Sequence, residues 1–146
     1  MRVNLAAHGI VVESTFANVG RVHSALQKKE YLMSGLKLVF HINENDRWPF
    51  TLRSARNFAR SEQFEAATVV ANGEAVRSFS KLESDPYRMA RIRGLIDEGV
   101  KFAVCAIALK ERQVNRDLIP DYVEVVDAGI VRISELQVDG YGYVKA

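Results

Sequence analysis

The sequence predicts an α/β domain of three layers, α/β/α, with a mainly parallel sheet between two layers of helix. Two observations predict it. From Leu36 onward, short apolar runs bounded by polar turn residues alternate with segments of helical periodicity. Each pair of successive runs is also separated by enough chain for a helical crossover, the connection that parallel strands require.

The elements follow in order. Leu36–Ile42 (LKLVFHI) is a buried strand, ended by the polar loop Asn43–Pro49. Pro49 suits the first turn of a helix, where its missing N–H leaves nothing unpaired. The helix Phe50–Arg60 places Phe50, Leu52, Ala55, Phe58 and Ala59 along one side, with Arg53, Arg56 and Arg60 largely opposite. Trp48 suits the rim of a pocket or an assembly surface, although core packing is the commoner role for so large a side chain. Phe64–Ala71 (FEAATVVA) is the second strand, closed by Asn72-Gly73, and a short helix is expected over about 74–81. The turn residues Ser84-Asp85-Pro86 lead into a helix Tyr87–Glu98, stopped by Gly99. Val100–Ala106 (VKFAVCA) is the third strand, and the helix Ile107–Arg112 opens directly after it. Tyr122–Val126 is the fourth strand. Gly129–Val138 is the last helix, with Ile130, Ile133 and Leu136 at helical spacing, and Tyr141–Val144 adds a short final strand.

This domain spans residues 36–146, and residues 1–35 read as an N-terminal extension. Within the extension Asn4–Val12 suggests a strand, and Ser14–Lys29 carries Phe16, Val19, His23 and Leu26 at helical spacing. The net charge of +2 also divides there. The extension holds Arg2, Arg21, Lys28 and Lys29 against Glu13 and Glu30, whereas the rest has equal numbers of basic and acidic residues. A balanced body argues against a nucleic-acid surface. No apolar stretch has the length of a membrane span, and the N-terminus lacks the pattern of a secretion signal. With a single cysteine the chain forms no internal disulfide, which suits the cytoplasm. No Cys/His spacing reads as a metal site, and no motif calls for a cofactor; the glycine patterns that cradle phosphates are missing from the sequence.

Cys105 is the sharpest chemical feature. It falls near the end of the third strand, with a helix opening just after it. In open parallel sheets, ligands sit beyond the carboxyl ends of the strands. The free N–H groups of a helix start also stabilise a thiolate, the nucleophilic form. The ordinary role of a lone cysteine is that of a small buried apolar residue. His41, Asn43 and Glu44 end the first strand on the same edge, where they can line a polar site; Asn43 and Glu44 also suit loop shaping and helix capping. Asn72 and Gly73 close the second strand there; Gly73, free to adopt positive φ, lets the backbone approach a ligand, and a plain turn is the more ordinary role. Arg88, Arg91 and Arg93 suggest an anion site on paper but read better as a solvated helix surface.

Three segments resemble the DsrE/DsrF-like family of sulfur-transfer proteins, which includes the TusD-type relay proteins. They are Lys101–Arg112 (KFAVCAIALKER), Lys37–Asp46 (KLVFHINEND), and Val125–Gln137 (VVDAGIVRISELQ) followed by Gly140-Tyr141. The likeness covers about Leu36 to Lys145 and departs at Gln113, where relatives often carry glycine; that bears on how the chain turns after Arg112. The resemblance implies a flavodoxin-like layering and a homotrimer or a hexamer. It also implies that Cys105 carries a persulfide between sulfur donor and acceptor proteins, as a sulfurtransferase or carrier without cofactor or metal. The competing class is a non-catalytic module that binds a small ligand or another subunit, with Cys105 as filler.

Overall fold

The computed structural model of the chain describes residues 24–30 and 34–146. The chain divides into two compact units, Met1–Ser34 and Gly35–Ala146. In the first, residues 24–30 are helical (α1). The expected strand Asn4–Val12, and the expected helix Ser14–Lys29 up to residue 23, lie outside the described residues.

The second unit contains five strands: β1 (Leu36–Ile42), β2 (Phe64–Ala71), β3 (Val100–Cys105), β4 (Glu124–Val126) and β5 (Gly142–Lys145). They form one sheet in the order β4-β3-β2-β1-β5. All neighbouring pairs are parallel. The crossovers are α2 (Trp48–Ala59), α3 (Pro86–Asp97), α4 (Ala106–Glu111) and α5 (Gly129–Val138), with 3-10 turns at Asn45–Arg47, Gly73–Phe79 and Arg116–Leu118. This is the α/β architecture the sequence predicts. Among the described residues no helix is long and apolar enough to cross a membrane.

Period-two alternation along the strands splits the core in two. Phe40, Ile42, Val69, Ala71, Phe102 and Val104 face α2, α3, α4 and the Gly73–Phe79 turn. Trp48, fully buried, is the largest side chain of that layer, and its indole N–H donates to the Ala75 carbonyl at 3.0 Å. Val39, Val70 and Ala103 face the other way, where Ile133 and Leu136 of α5 pack on them.

Four local expectations are corrected. Phe50 is exposed and lies under the guanidinium groups of Arg47 and Arg53, at 4.7 and 5.8 Å from its ring centre, while Thr51 takes the inward position. Ile130 is exposed, and Gly129 is buried in the first turn of α5 instead. The segment expected as a helix over 74–81 is the 3-10 turn Gly73–Phe79. β4 is shorter than expected and begins at Glu124, because Asp121 and Tyr122 still belong to the turn after Pro120.

The departure at Gln113 leaves the turn intact. Gln113 has φ 55, the left-handed conformation that a glycine would adopt there. The Val114 N–H donates to the Leu109 carbonyl at 2.9 Å and the Gln113 N–H to the Lys110 carbonyl at 3.2 Å. That pair of bonds is a Schellman cap on α4, with buried Val114 and Leu109 as its hydrophobic partners.

Candidate functional site

The carboxyl ends of β1, β2 and β3 lie side by side, because the parallel register aligns Ile42 with Ala71 and Ala71 with Val104. One residue further on, alternation directs Asn72 to the face that α5 covers, and His41 of β1 shares it; Cys105 sits at the rim between the layers, its Cβ against Gly129 of α5 while the residue packs with the core of the other face. The register of β5, with Tyr143 opposite Val39 and Lys145 opposite His41, adds Tyr143 and Lys145. One face of one sheet edge therefore gathers polar groups from three strands.

Three of these groups, Asn72, His41 and Tyr143, form a connected string, and Lys145 pairs with Asn43 beside it. His41 Nε2 lies 2.8 Å from the Asn72 side-chain oxygen, and His41 Nδ1 lies 2.7 Å from the Tyr143 hydroxyl. An amide oxygen only accepts. In the neutral ring Nε2 therefore carries the proton, and Nδ1 accepts from the Tyr143 hydroxyl. The Lys145 ammonium donates to the Asn43 side-chain oxygen. Backbone bonds fix the loop beneath: the Asn72 N–H donates to the Ile42 carbonyl at 3.0 Å and the Ala75 N–H to the Asn43 carbonyl at 3.3 Å. Gly73, at φ +52, packs so closely that a Cβ there would meet the Asn43 carbonyl oxygen at 3.0 Å.

Cys105 ends β3 and is the N-cap of α4. Its sulfur lies 3.5 Å from the Ala108 N–H, which points at it. The residue is only 6% exposed and forms no disulfide. Gly129 couples it to the polar string: a Cβ at that position would lie 3.2 Å from the Cys105 Cβ and 3.3 Å from the Asn72 Cβ. The first turn of α5 thus rests directly on both residues, and a larger side chain there would have to push its neighbours back by a few tenths of an ångström.

Of the residues singled out in the sequence, His41, Asn43, Asn72, Gly73 and Cys105 share this edge. Glu44 is not part of the string. It is exposed at the start of the Asn45–Arg47 turn, makes no side-chain cap bond, and lines a separate open cleft with Glu74, Arg77 and Glu83. Arg88 is spent elsewhere as well, donating to the Ser78 hydroxyl at 2.7 Å and the Glu83 carbonyl at 3.3 Å. Arg93 lies over the Tyr122 ring. Sequence reading passed over Tyr143, Lys145 and Gly129. The alternation in Tyr141-Gly-Tyr-Val-Lys places Tyr143 and Lys145 on one face, but pairing β5 with β1 needed the sheet order. Among the described residues, no group of three or more His, Cys, Asp or Glu is placed to hold a metal ion.

The fold and this edge define an α/β protein of the open parallel-sheet class, with its polar groups gathered beyond the strand ends. The chain belongs to the DsrE/DsrF-like family, whose model matches residues 37–146. Among solved structures, a protein of unknown function from Methanobacterium thermoautotrophicum is similar at 25% identity and a TM-score of 0.67, over 76% of this chain and 99% of its own. A conserved protein of unknown function from Bacteroides thetaiotaomicron shares the fold at 14% identity and a TM-score of 0.61, over 75% of this chain and 94% of its own. No curated protein matches the chain.

Proposed function

We propose that this chain is a persulfide carrier, with Cys105 as the sulfur-bearing residue. The observation that carries the reading is the Ala108 N–H aimed at the Cys105 sulfur at the strand-to-helix junction. A backbone donor at that point favours negative charge on sulfur. Family membership points the same way, since the family is linked to sulfur relay.

In loading, the Cys105 thiolate attacks the outer sulfur of a donor persulfide. The new S–S bond forms as the donor's S–S bond breaks, the donor leaves as a thiolate, and Cys105 becomes a persulfide. In unloading, an acceptor thiolate attacks that outer sulfur and Cys105 departs as the thiolate. Each step is an exchange between thiol and persulfide, with no net oxidation. His41, Asn43, Asn72 and Gly73 shape the polar ground beside the sulfur, and Glu44, in its separate cleft, has no part in it. The rest of the proposal follows the family: a homotrimer or hexamer, donor and acceptor proteins as partners, a cytoplasmic location, and residues 36–146 as the working domain with residues 1–35 as an extension.

Burial favours a second reading. A sulfur in a residue 6% exposed suits a non-catalytic binding or assembly module in which Cys105 fills space. Mass spectrometry after exposure to a small hydropersulfide donor separates the two. The carrier gains one sulfur atom on Cys105, and Cys105→Ser abolishes the gain. Because a serine oxygen also accepts the Ala108 N–H as an N-cap, the variant keeps its stability within about 1 kcal/mol. No adduct on the native protein, together with alkylation of Cys105 only after denaturation, rejects the carrier. Light scattering that gives a monomer at all concentrations rejects the assembly.

A further inference from the structure

We infer that the cleft between the second halves of α2 and α3 binds a small phosphate-bearing molecule. The cleft has a volume of about 190 Å³, with Leu52 and Leu95 in its lining and Arg56, Arg60 and Arg91 around it. α2 and α3 both run back from the carboxyl edge of the sheet, so this cleft lies at the opposite end from Cys105.

Charge is the first argument. The lining has one carboxylate, Glu98, and Arg60 holds it through two bonds of 3.2 and 2.7 Å. That hydrogen-bonded pair, with a further contribution from Arg56, holds the Glu98 carboxyl below its ordinary range. Arg56 and Arg91 form no ion pair among the described residues; the Arg91 guanidinium lies 5.8 Å from the centre of the exposed Tyr87 ring, a contact that leaves its N–H donors unpaired. The C-terminal ends of α2 and α3 contribute about half a negative charge each, which leaves the cleft positive by roughly one charge. Guanidinium forks are matched to phosphate oxygens, and the small volume suits one phosphoryl group with little attached.

Gly94 supplies an independent argument. It lies inside α3 and lines the cleft, yet a Cβ there would meet nothing within 4 Å. Neither packing nor turn geometry asks for glycine, and alanine is the better helix former. A group approaching the α3 backbone within the cleft does ask for it.

The test uses the full chain, with inorganic phosphate as probe and potassium chloride holding ionic strength constant, followed by backbone-amide NMR. We expect saturable shifts centred on Arg91–Leu95. The double variant Arg56→Gln, Arg91→Gln weakens binding by about tenfold or more. Gly94→Ala separates the site from its scaffold, because its two effects have opposite signs: it raises the melting temperature without phosphate by about 2–4 °C, and it weakens phosphate binding by about threefold or more. Three results overturn the inference: shifts that never saturate or fall elsewhere, a double variant that binds as the parent does, which means an adventitious ion only, or a Gly94→Ala variant with unchanged affinity.

Discussion

The two faces of the sheet are built unequally. One is covered by α2, α3, α4 and the Gly73–Phe79 turn, and it buries Trp48, Phe40, Phe79 and Phe102 in one continuous cluster. The other has α5, whose Ile133 and Leu136 cover Val39, Val70 and Ala103. The thick face has the aromatic and aliphatic mass that stabilises a domain of this size. The thin face leaves its carboxyl edge to His41, Asn72, Tyr143 and Lys145, groups that a second layer of apolar helix would have had to desolvate. Stability and polar function are thus separated across a single layer of strands.

The strongest test of that separation is Trp48→Ala on the thick face. Removing a fully buried indole should cost about 4 kcal/mol, which urea unfolding will read directly. A cost below about 2 kcal/mol would break the contrast. Gly129→Ala comes next and probes the thin face. Both Cβ atoms it would press on are anchored to strand ends, so α5 has to shift; the expected cost is about 1–2 kcal/mol. Cys105 should then alkylate faster, since α5 no longer seals it. Tyr143→Phe should cost about 1 kcal/mol or less, because the lost hydroxyl is near solvent. Its sharper readout is ¹⁵N NMR of the imidazole: without the Tyr143 donor the Nδ1 resonance should shift while Nε2 keeps its proton for Asn72, and an unchanged spectrum would remove Tyr143 from the string. The smallest effect is a gain. Gln113→Gly relieves a left-handed side-chain residue and should stabilise the chain by about 0.5–1 kcal/mol, less what glycine adds to the unfolded entropy. Thermal melts suffice to check it.

The centre of the sheet was legible because burial on both faces forces nearly continuous apolar runs. β1, β2 and α5 have the ends read from the sequence, and β3 differs by one residue at its close. Edge strands lack that signal, so β4 came out two residues short of its expected start and β5 shifted by one. Helix faces were read less well for a different reason. Hydropathy ranks Phe50 above Thr51 and Ile130 above Gly129, yet backbone position decides which one points inward. Thr51 is accepted inside because its hydroxyl donates to the Arg47 carbonyl at 2.9 Å, and Gly129 because a larger residue would press on Cys105 and Asn72. At the site, the strand-end position of Cys105, His41 and Asn72 was legible. Their connection was not, since it depends on which strand neighbours which.

The pairing of β5 with β1 bears on how the molecule is made. No neighbouring strands are joined by a hairpin, so none can zip up locally from a turn, and the topology favours slow, non-local assembly. His41 and Tyr143 are 102 positions apart in the chain. On the ribosome, β1 through β4 emerge and can pack while His41 has Asn72 but still lacks Tyr143. The hydrogen-bonded string closes only when Tyr143 arrives, so the polar edge should be the last part of the domain to mature. Pulse-labelling of nascent chains would find it so.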